Sequence, residues 1–132
     1  MIFYINPKSR HPVYLQIVYQ VKRKIASGQL KSGDKLPTVS ELAVNLILNP
    51  NTIQKAYSEL SNEGLIYTRR GLGVFIAEIT SPVHKEVSQQ RIQEALDHFF
   101  TEAFLMGLTK EEIRNLMNQE LKRFEKEGEQ HA

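Results

Sequence analysis

A mainly α-helical chain with one small β-hairpin is the fold class that this sequence of 132 residues predicts. Three observations carry it. Apolar residues recur at helical spacing before residue 27, twice more in quick succession between Thr38 and Asn62, and twice again beyond residue 82. Two short alternating segments, Leu65–Arg69 and Gly73–Glu78, flank the turn Arg70-Gly71-Leu72-Gly73. Thr80-Ser81-Pro82 has the composition of a short linker, dividing the chain into residues 1–79 and residues 80–132.

The first helix is expected over residues 12–27. Val13, Ile17, Val21 and Ile25 follow one another at spacing four, with Tyr14 and Val18 beside them, which makes one apolar face. Pro12 suits a first helical turn, where a missing N–H costs nothing, and Gly28 is placed to end the helix. Residues 30–37, LKSGDKLP, read as a loop. Thr38-Val39-Ser40-Glu41 fits a capping box, and Leu42, Ala43 and Leu46 supply the inner face of a short second helix. Asn49-Pro50 is another helix start, Asn as N-cap and Pro in the first helical position, and Gly64 stands just past the end of that helix near Asn62.

Beyond the linker, Ile92, Ala95, Leu96, Phe99, Phe100, Ala103 and Phe104 form a broad apolar face that Gly107 interrupts. Thr109-Lys110-Glu111-Glu112 is a second capping box, opening a last helix lined by Ile113, Leu116, Met117, Leu121 and Phe124. The closing residues GEQHA are expected to fray.

Composition narrows the function classes. The chain has no cysteine, which removes disulfides and thiolate-bound metals. No apolar run approaches the roughly 18 residues of a membrane span. The start MIFYINPKSR lacks the layout of a signal peptide, so a cytoplasmic location and no membrane partner are expected. Charge is divided unevenly. Residues 1–80 hold ten Lys and Arg against five Asp and Glu, whereas residues 81–132 hold seven against ten. The first part can approach a polyanion that the second would repel.

The order helix, turn, helix, basic hairpin is that of a winged helix-turn-helix. At about 100° per residue along the helix after Pro50, Ile53, Ala56 and Leu60 gather on one side with Tyr57 at the edge, while Asn51, Gln54, Lys55, Ser58 and Asn62 gather opposite. The first group seats the helix. The second can read bases, since Asn and Gln pair with adenine and Lys addresses guanine. Such helices meet base edges with their N-terminal part, which favours Asn51, Gln54 and Lys55. Thr52 and the free N–H groups of the first turn that Asn49-Pro50 opens are placed for phosphate, and Arg69, Arg70 and Gly71 at the hairpin tip for backbone or minor groove. Thr38 and Ser40 complete the candidate DNA-contacting set.

Residues 12–76 resemble the winged-helix domain of GntR-type bacterial transcription regulators. The resemblance rests on Pro12-Val13-Tyr14-Leu15-Gln16-Ile17, Gly28-Gln29-Leu30, Gly33-Asp34-Lys35-Leu36-Pro37, Glu41-Leu42-Ala43, Asn51-Thr52, Lys55-Ala56-Tyr57, Glu63-Gly64-Leu65-Ile66 and Gly71-Leu72-Gly73. Asn49-Pro50-Asn51-Thr52 and a tail of only two helices, with Met106-Gly107-Leu108-Thr109 at their junction, resemble its short YtrA-type branch. The resemblance implies a dimeric regulator, usually a repressor and often of transporter operons. Two residues depart from the pattern. Ser40 stands where the family has a phosphate-contacting Arg, and Ile47 where it has a Gly in the turn between helices. Because Ile disfavours a left-handed backbone, a reshaped turn is expected.

The expected partners are a double-stranded DNA operator, near-palindromic, and a second copy of the chain. Two amphipathic helices enclose little core, so Ile92, Leu96, Phe99, Phe100, Ala103, Phe104, Ile113, Leu116, Met117, Leu121 and Phe124 are expected at a symmetric helical interface. A small effector between these helices is a further candidate, although no polar cluster marks a site. His11, His84, His98 and His131 stand in no metal-ligand spacing, and the remaining ligands that larger relatives combine with an Asp-His pair like Asp97-His98 have no counterpart. No cofactor, no metal and no catalytic grouping is expected. The alternative reading is a winged-helix protein-interaction module whose basic wing meets an acidic partner. The reading face lacks the large apolar anchor such an interface favours.

Overall fold

A computed structural model of the chain describes residues 2–78 and 82–130, with side chains described for all of these except 82–88 and 129–130. The chain forms two compact units, one running to residue 79 and the other from 80 to 130. The first contains α1 (Val13–Ala26), β1 (Lys35–Leu36), α2 (Val39–Leu46), α3 (Pro50–Asn62), β2 (Ile66–Arg69) and β3 (Gly73–Ile76); the second contains α4 (Pro82–Leu105) and α5 (Lys110–Gln130).

The capping signals act as their chemistry requires. Thr38 caps α2: its hydroxyl accepts from the Glu41 N–H at 3.1 Å and the Glu41 carboxylate accepts from the Thr38 N–H. Asn49 caps α3, its side-chain oxygen accepting from the Asn51 N–H at 2.9 Å, with Pro50 in the first turn. Pro12 differs slightly from expectation. It is the extended N-cap of α1 rather than a residue of its first turn, and its carbonyl accepts from the N–H groups of Leu15 and Gln16.

The core of the first unit draws on every element. Ile17, Val18 and Val21 of α1, Leu42 and Ala43 of α2, and Ile53, Ala56 and Leu60 of α3 are buried with Leu36, Ile66, Val74 and Ile76. Tyr57, expected at the edge of the seating face, is buried outright. Lys22 of α1 reaches Glu63 at the C-cap of α3 with an N–O distance of 2.9 Å, fixing the far end of that helix.

The loop expected over residues 30–37 contains a strand instead. Lys35 and Leu36 pair antiparallel with Phe75 and Val74, so β3 of the hairpin is the central strand of a three-stranded sheet ordered β1-β3-β2. Two residues are too few to show alternation, and Pro37 removes the donor that would extend the strand. The sheet anchors the wing at its base: the Gly33 N–H donates to the Ile76 carbonyl and the Ile76 N–H to the Asp34 carbonyl.

The turn between α2 and α3 corrects a second expectation. Ile47 adopts the left-handed backbone itself, φ 54° and ψ 50°, so the turn is not reshaped. The Leu48 N–H donates to the Ala43 carbonyl at 2.9 Å, the bond that closes a left-handed helix end. The cost of the isoleucine is local strain in place of a new path.

In the second unit, Gly107 (φ 82°) ends α4 and the Thr109 box opens α5, the Thr109 hydroxyl accepting from the Glu112 N–H at 3.1 Å. Pro82, read as linker, already belongs to α4, while Thr80 and Ser81 lie outside the described residues. Of the closing residues, 128–130 belong to α5, which continues to Gln130, and His131 and Ala132 lie outside the described residues. Among the described residues no helix is long and apolar enough to cross a membrane.

Candidate nucleic-acid interface

Helix α3 presents the face that its periodicity predicts. Asn49, Pro50, Asn51, Gln54, Lys55 and Ser58 are exposed, and Thr52 is half-buried at the flank. The opposite face is sealed into the core by Ile53, Ala56 and Leu60. A rigid seat matters because a base-reading side chain gains selectivity only when its helix cannot shift. Tyr57 adds to the seat. Its hydroxyl donates to the Pro37 carbonyl at 2.6 Å, and burial, with Glu41 nearby, pushes its ionisation up from the ordinary tyrosine range.

The outward face divides into two flanks. Toward the hairpin, the Gln54 amide donates to the Ser58 hydroxyl at 3.2 Å. Both residues line a shallow recess of about 300 Å³ with Ser61, Asn62 and Thr68. Toward α1, the Lys55 ammonium lies 4.1 Å from the centroid of the Tyr14 ring, a cation–π contact that holds the charge at the α1 side of the face. Asn51, Gln54, Lys55 and Ser58 are thus side by side, but Gln54 and Lys55 lean opposite ways.

The wing is built for close approach. Arg69 ends β2 opposite Gly73, and the Leu72 N–H donates to the Arg69 carbonyl at 2.9 Å, closing a four-residue turn. Gly71 at the third position has φ 80°, as that turn requires. Arg69, Arg70 and Gly71 are all exposed. Of the α2 candidates, Thr38 is half-buried and engaged in its capping box, and Ser40 is exposed. Sequence reasoning missed Lys35. Its side chain reaches along the wing toward the turn so closely that a Cβ on Gly73 would stand 2.8 Å from the Lys35 Cε. The glycine of Gly71-Leu72-Gly73 was the available signal.

The tail divides differently from expectation. Ile92, Leu96, Phe99, Phe104, Leu116, Met117 and Leu121 are exposed, and Phe100 and Phe124 are half-buried. Ala103 and Ile113 are only 6% and 3% exposed, so they are buried within the single chain at the corner between α4 and α5 and present nothing to a second copy. Among the described residues the two helices do not pack along their length. They border an open apolar cleft of about 650 Å³ lined by Leu96, Phe99, Leu116, Met117, Leu121 and Phe124. Among the described residues no group of three or more His, Asp or Glu is placed to hold a metal ion.

Residues 13–76 match the profile described as bacterial regulatory proteins, gntR family. Over 109 residues the chain is 42% identical to the HTH-type transcriptional repressor YtrA of Bacillus subtilis, covering 83% of this chain and 84% of that protein. This chain belongs to the GntR family. Within it, the chain is a YtrA-like transcriptional regulator, and neither the family nor this relative is enzymatic. The fold is likewise that of solved GntR relatives. A transcriptional antiterminator from Listeria monocytogenes EGD-e superposes with a TM-score of 0.79 at 34% identity, over 94% of this chain and 92% of that one. The AraR DNA-binding domain, solved in complex with operator ORX1, superposes with a TM-score of 0.51 at 30% identity, over 58% of this chain and 95% of that one. The likeness to AraR falls on its DNA-binding domain, and this chain carries the outward polar face of α3 in a helix-turn-helix of the same fold.

Proposed function

We propose that two copies of this chain, joined through their C-terminal helices, bind a near-palindromic operator and repress transcription from it. The observation that carries the proposal is the exposed polar face of α3, held by a fully buried opposite face. Asn51 and Gln54 carry the donor–acceptor pairs that read adenine, and each subunit places them in one major groove. Arg69 and Arg70 hold the wing to backbone or minor groove, with Gly71 letting the main chain approach. The Asn51 and Thr52 N–H groups are taken up by the Asn49 side chain and carbonyl, so the uncharged phosphate contacts fall to the side chains of Ser40, Asn49 and Thr52. The apolar cleft of the tail supports self-association, because a contiguous exposed apolar surface marks a partner site. An effector entering that cleft would act by altering the spacing of the two reading helices.

Selection from a random double-stranded DNA library tests the proposal. The expected product is a two-fold symmetric consensus. Lys55, Arg69 and Arg70 of two subunits neutralise about six phosphates, which contributes roughly −5 to the slope of log K against log salt. Absence of any enriched sequence, with an acidic protein recovered instead, would favour the protein-interaction module.

A further inference from the structure

We infer a second phosphate-contacting patch, built from the N-terminal loop at residues 6–11 and carried by Lys8 and Arg10. It rests on the operator-binding reading and adds a site to it. The loop is not a loose arm. Phe3, just before it, is buried in the core. Gln16 and Gln20, one turn apart on α1, hold the chain on either side of it. The Gln20 side chain accepts from the Tyr4 N–H at 2.9 Å and donates back to the Tyr4 carbonyl. The Gln16 side chain accepts from the Asn6 N–H at 2.8 Å and donates to the carbonyls of both Asn6 and His11, at 3.0 and 3.1 Å. One amide thus cinches the two ends of the loop together.

Inside the loop the backbone is tied again. The Lys8 N–H donates to the Asn6 side chain at 3.0 Å, the Ser9 N–H to the Asn6 carbonyl at 3.2 Å, and the His11 N–H to the Ser9 hydroxyl at 3.1 Å. Lys8 and Arg10 are exposed, and neither pairs with a carboxylate among the described residues. Holding two unneutralised cations on an ordered loop lowers the entropy cost of engaging an anion there.

The position of the loop names the anion. It leads directly into the first turn of α1, where Tyr14 stands, and the Tyr14 ring carries the Lys55 ammonium of the reading helix at 4.1 Å. The end of α1 that bears the loop is therefore the end beside the exposed flank of α3. A duplex lying on α3 runs a sugar–phosphate strand past this end of α1, and on this inference Arg10 and Lys8 of the loop before α1 engage phosphates beyond the one that Lys55 meets. Phosphate contacts of this kind fix register without reading sequence.

The test is the salt dependence of binding to the selected operator, for the parent and for the double variant K8A/R10A. With five cations per subunit engaged, the parent slope is expected near −9, and the variant is expected to return to roughly −5. Base preference at every position should stay as in the parent, because no reading residue changes. Circular dichroism and thermal melting of both proteins should coincide, since both side chains are exposed. A parent slope near −5, or a variant whose slope and affinity equal the parent's, would overturn the patch and leave the operator reading intact. A parent with no salt-dependent binding to any duplex would overturn both.

Discussion

The Tyr57 hydroxyl donates a 2.6 Å hydrogen bond to the Pro37 carbonyl, joining the middle of α3 to the residue that leads into the α2 cap. Tyr57 is buried in the core and its bond to the half-buried Pro37 lies at the core's edge. Tyr57→Phe keeps the ring and leaves the carbonyl unpaired, so it is expected to lower unfolding free energy by about 1–3 kcal/mol, read from urea denaturation. An unchanged midpoint would mean that water replaces the hydroxyl.

The same tyrosine sets an alkaline limit. Burial first, and the Glu41 carboxylate second, raise its ionisation above the unfolded value near 10. The folded state therefore favours the protonated phenol. This contribution is complete below pH 10 and falls as pH rises beyond it, because the unfolded chain releases the proton first. Melting temperature measured from pH 8 to 11 should drop more steeply for the parent than for Tyr57→Phe. Parallel curves would remove Tyr57 as the cause.

Ile47 stores strain that a substitution can release. Its φ of 54° is disfavoured for a β-branched side chain, and 91% exposure means that the side chain returns little packing. Relief of a left-handed conformation is worth about 1–2 kcal/mol, and glycine's greater freedom in the unfolded chain takes back about 0.5–1. Ile47→Gly is accordingly expected to stabilise the protein by roughly 1 kcal/mol, whereas Ile47→Ala, which keeps a Cβ, should leave the urea midpoint nearly unchanged. A destabilised glycine variant would contradict the strain.

Ile47 also marks how far the sequence could be read. Caps and helical faces were legible because each depends on residues within one turn: Thr38 with Glu41, Thr109 with Glu112, and Ile53 with Ala56 and Leu60. The exposed polar side of α3 and the exposed arginines of the hairpin turn followed from the same short-range logic. What stayed hidden depended on distant partners. Lys35 and Leu36 become a strand only because Phe75 and Val74 arrive some forty residues later. Gln16 and Gln20 look like ordinary polar helix positions until the N-terminal loop lies across them. Ala103 and Ile113 belong to the apolar tail faces, and only the corner between the helices decides that they point inward. The turn at Ile47 is the converse case, where a correct local rule was overridden by the packing of α2 and α3 on either side.

Gln54 and Arg70 should separate specificity from affinity. Gln54 is exposed on α3 and steadied by Ser58, whereas Arg70 sits in the wing turn. Gln54→Ala is expected to lower discrimination at one operator position by about 1–3 kcal/mol. Arg70→Ala should instead weaken all sequences alike and make the salt slope shallower by about 1 per subunit. Binding to operators mutated one base pair at a time distinguishes these outcomes, and equal losses of specificity from both variants would reverse the role assignment.

The tail cleft makes a prediction in which association and folding come apart. Leu121 lines the cleft yet is 62% exposed in the single chain, so its side chain contributes little to the stability of its own unit. Surface changes away from packed features lie within about 0.5 kcal/mol. Leu121→Glu should therefore leave secondary structure intact while placing a charge where a second copy would have to bury it, at a cost of several kcal/mol. Light scattering is expected to show a dimer for the parent and a monomer for the variant. The monomer would hold one half-site at a time and lose the gain from tethering two, which is on the order of 10² or more in operator affinity. Binding to an isolated half-site should be equal for the two proteins, since α3 and the wing are untouched. A variant that stays dimeric and binds the full operator as the parent does would move the interface away from this cleft.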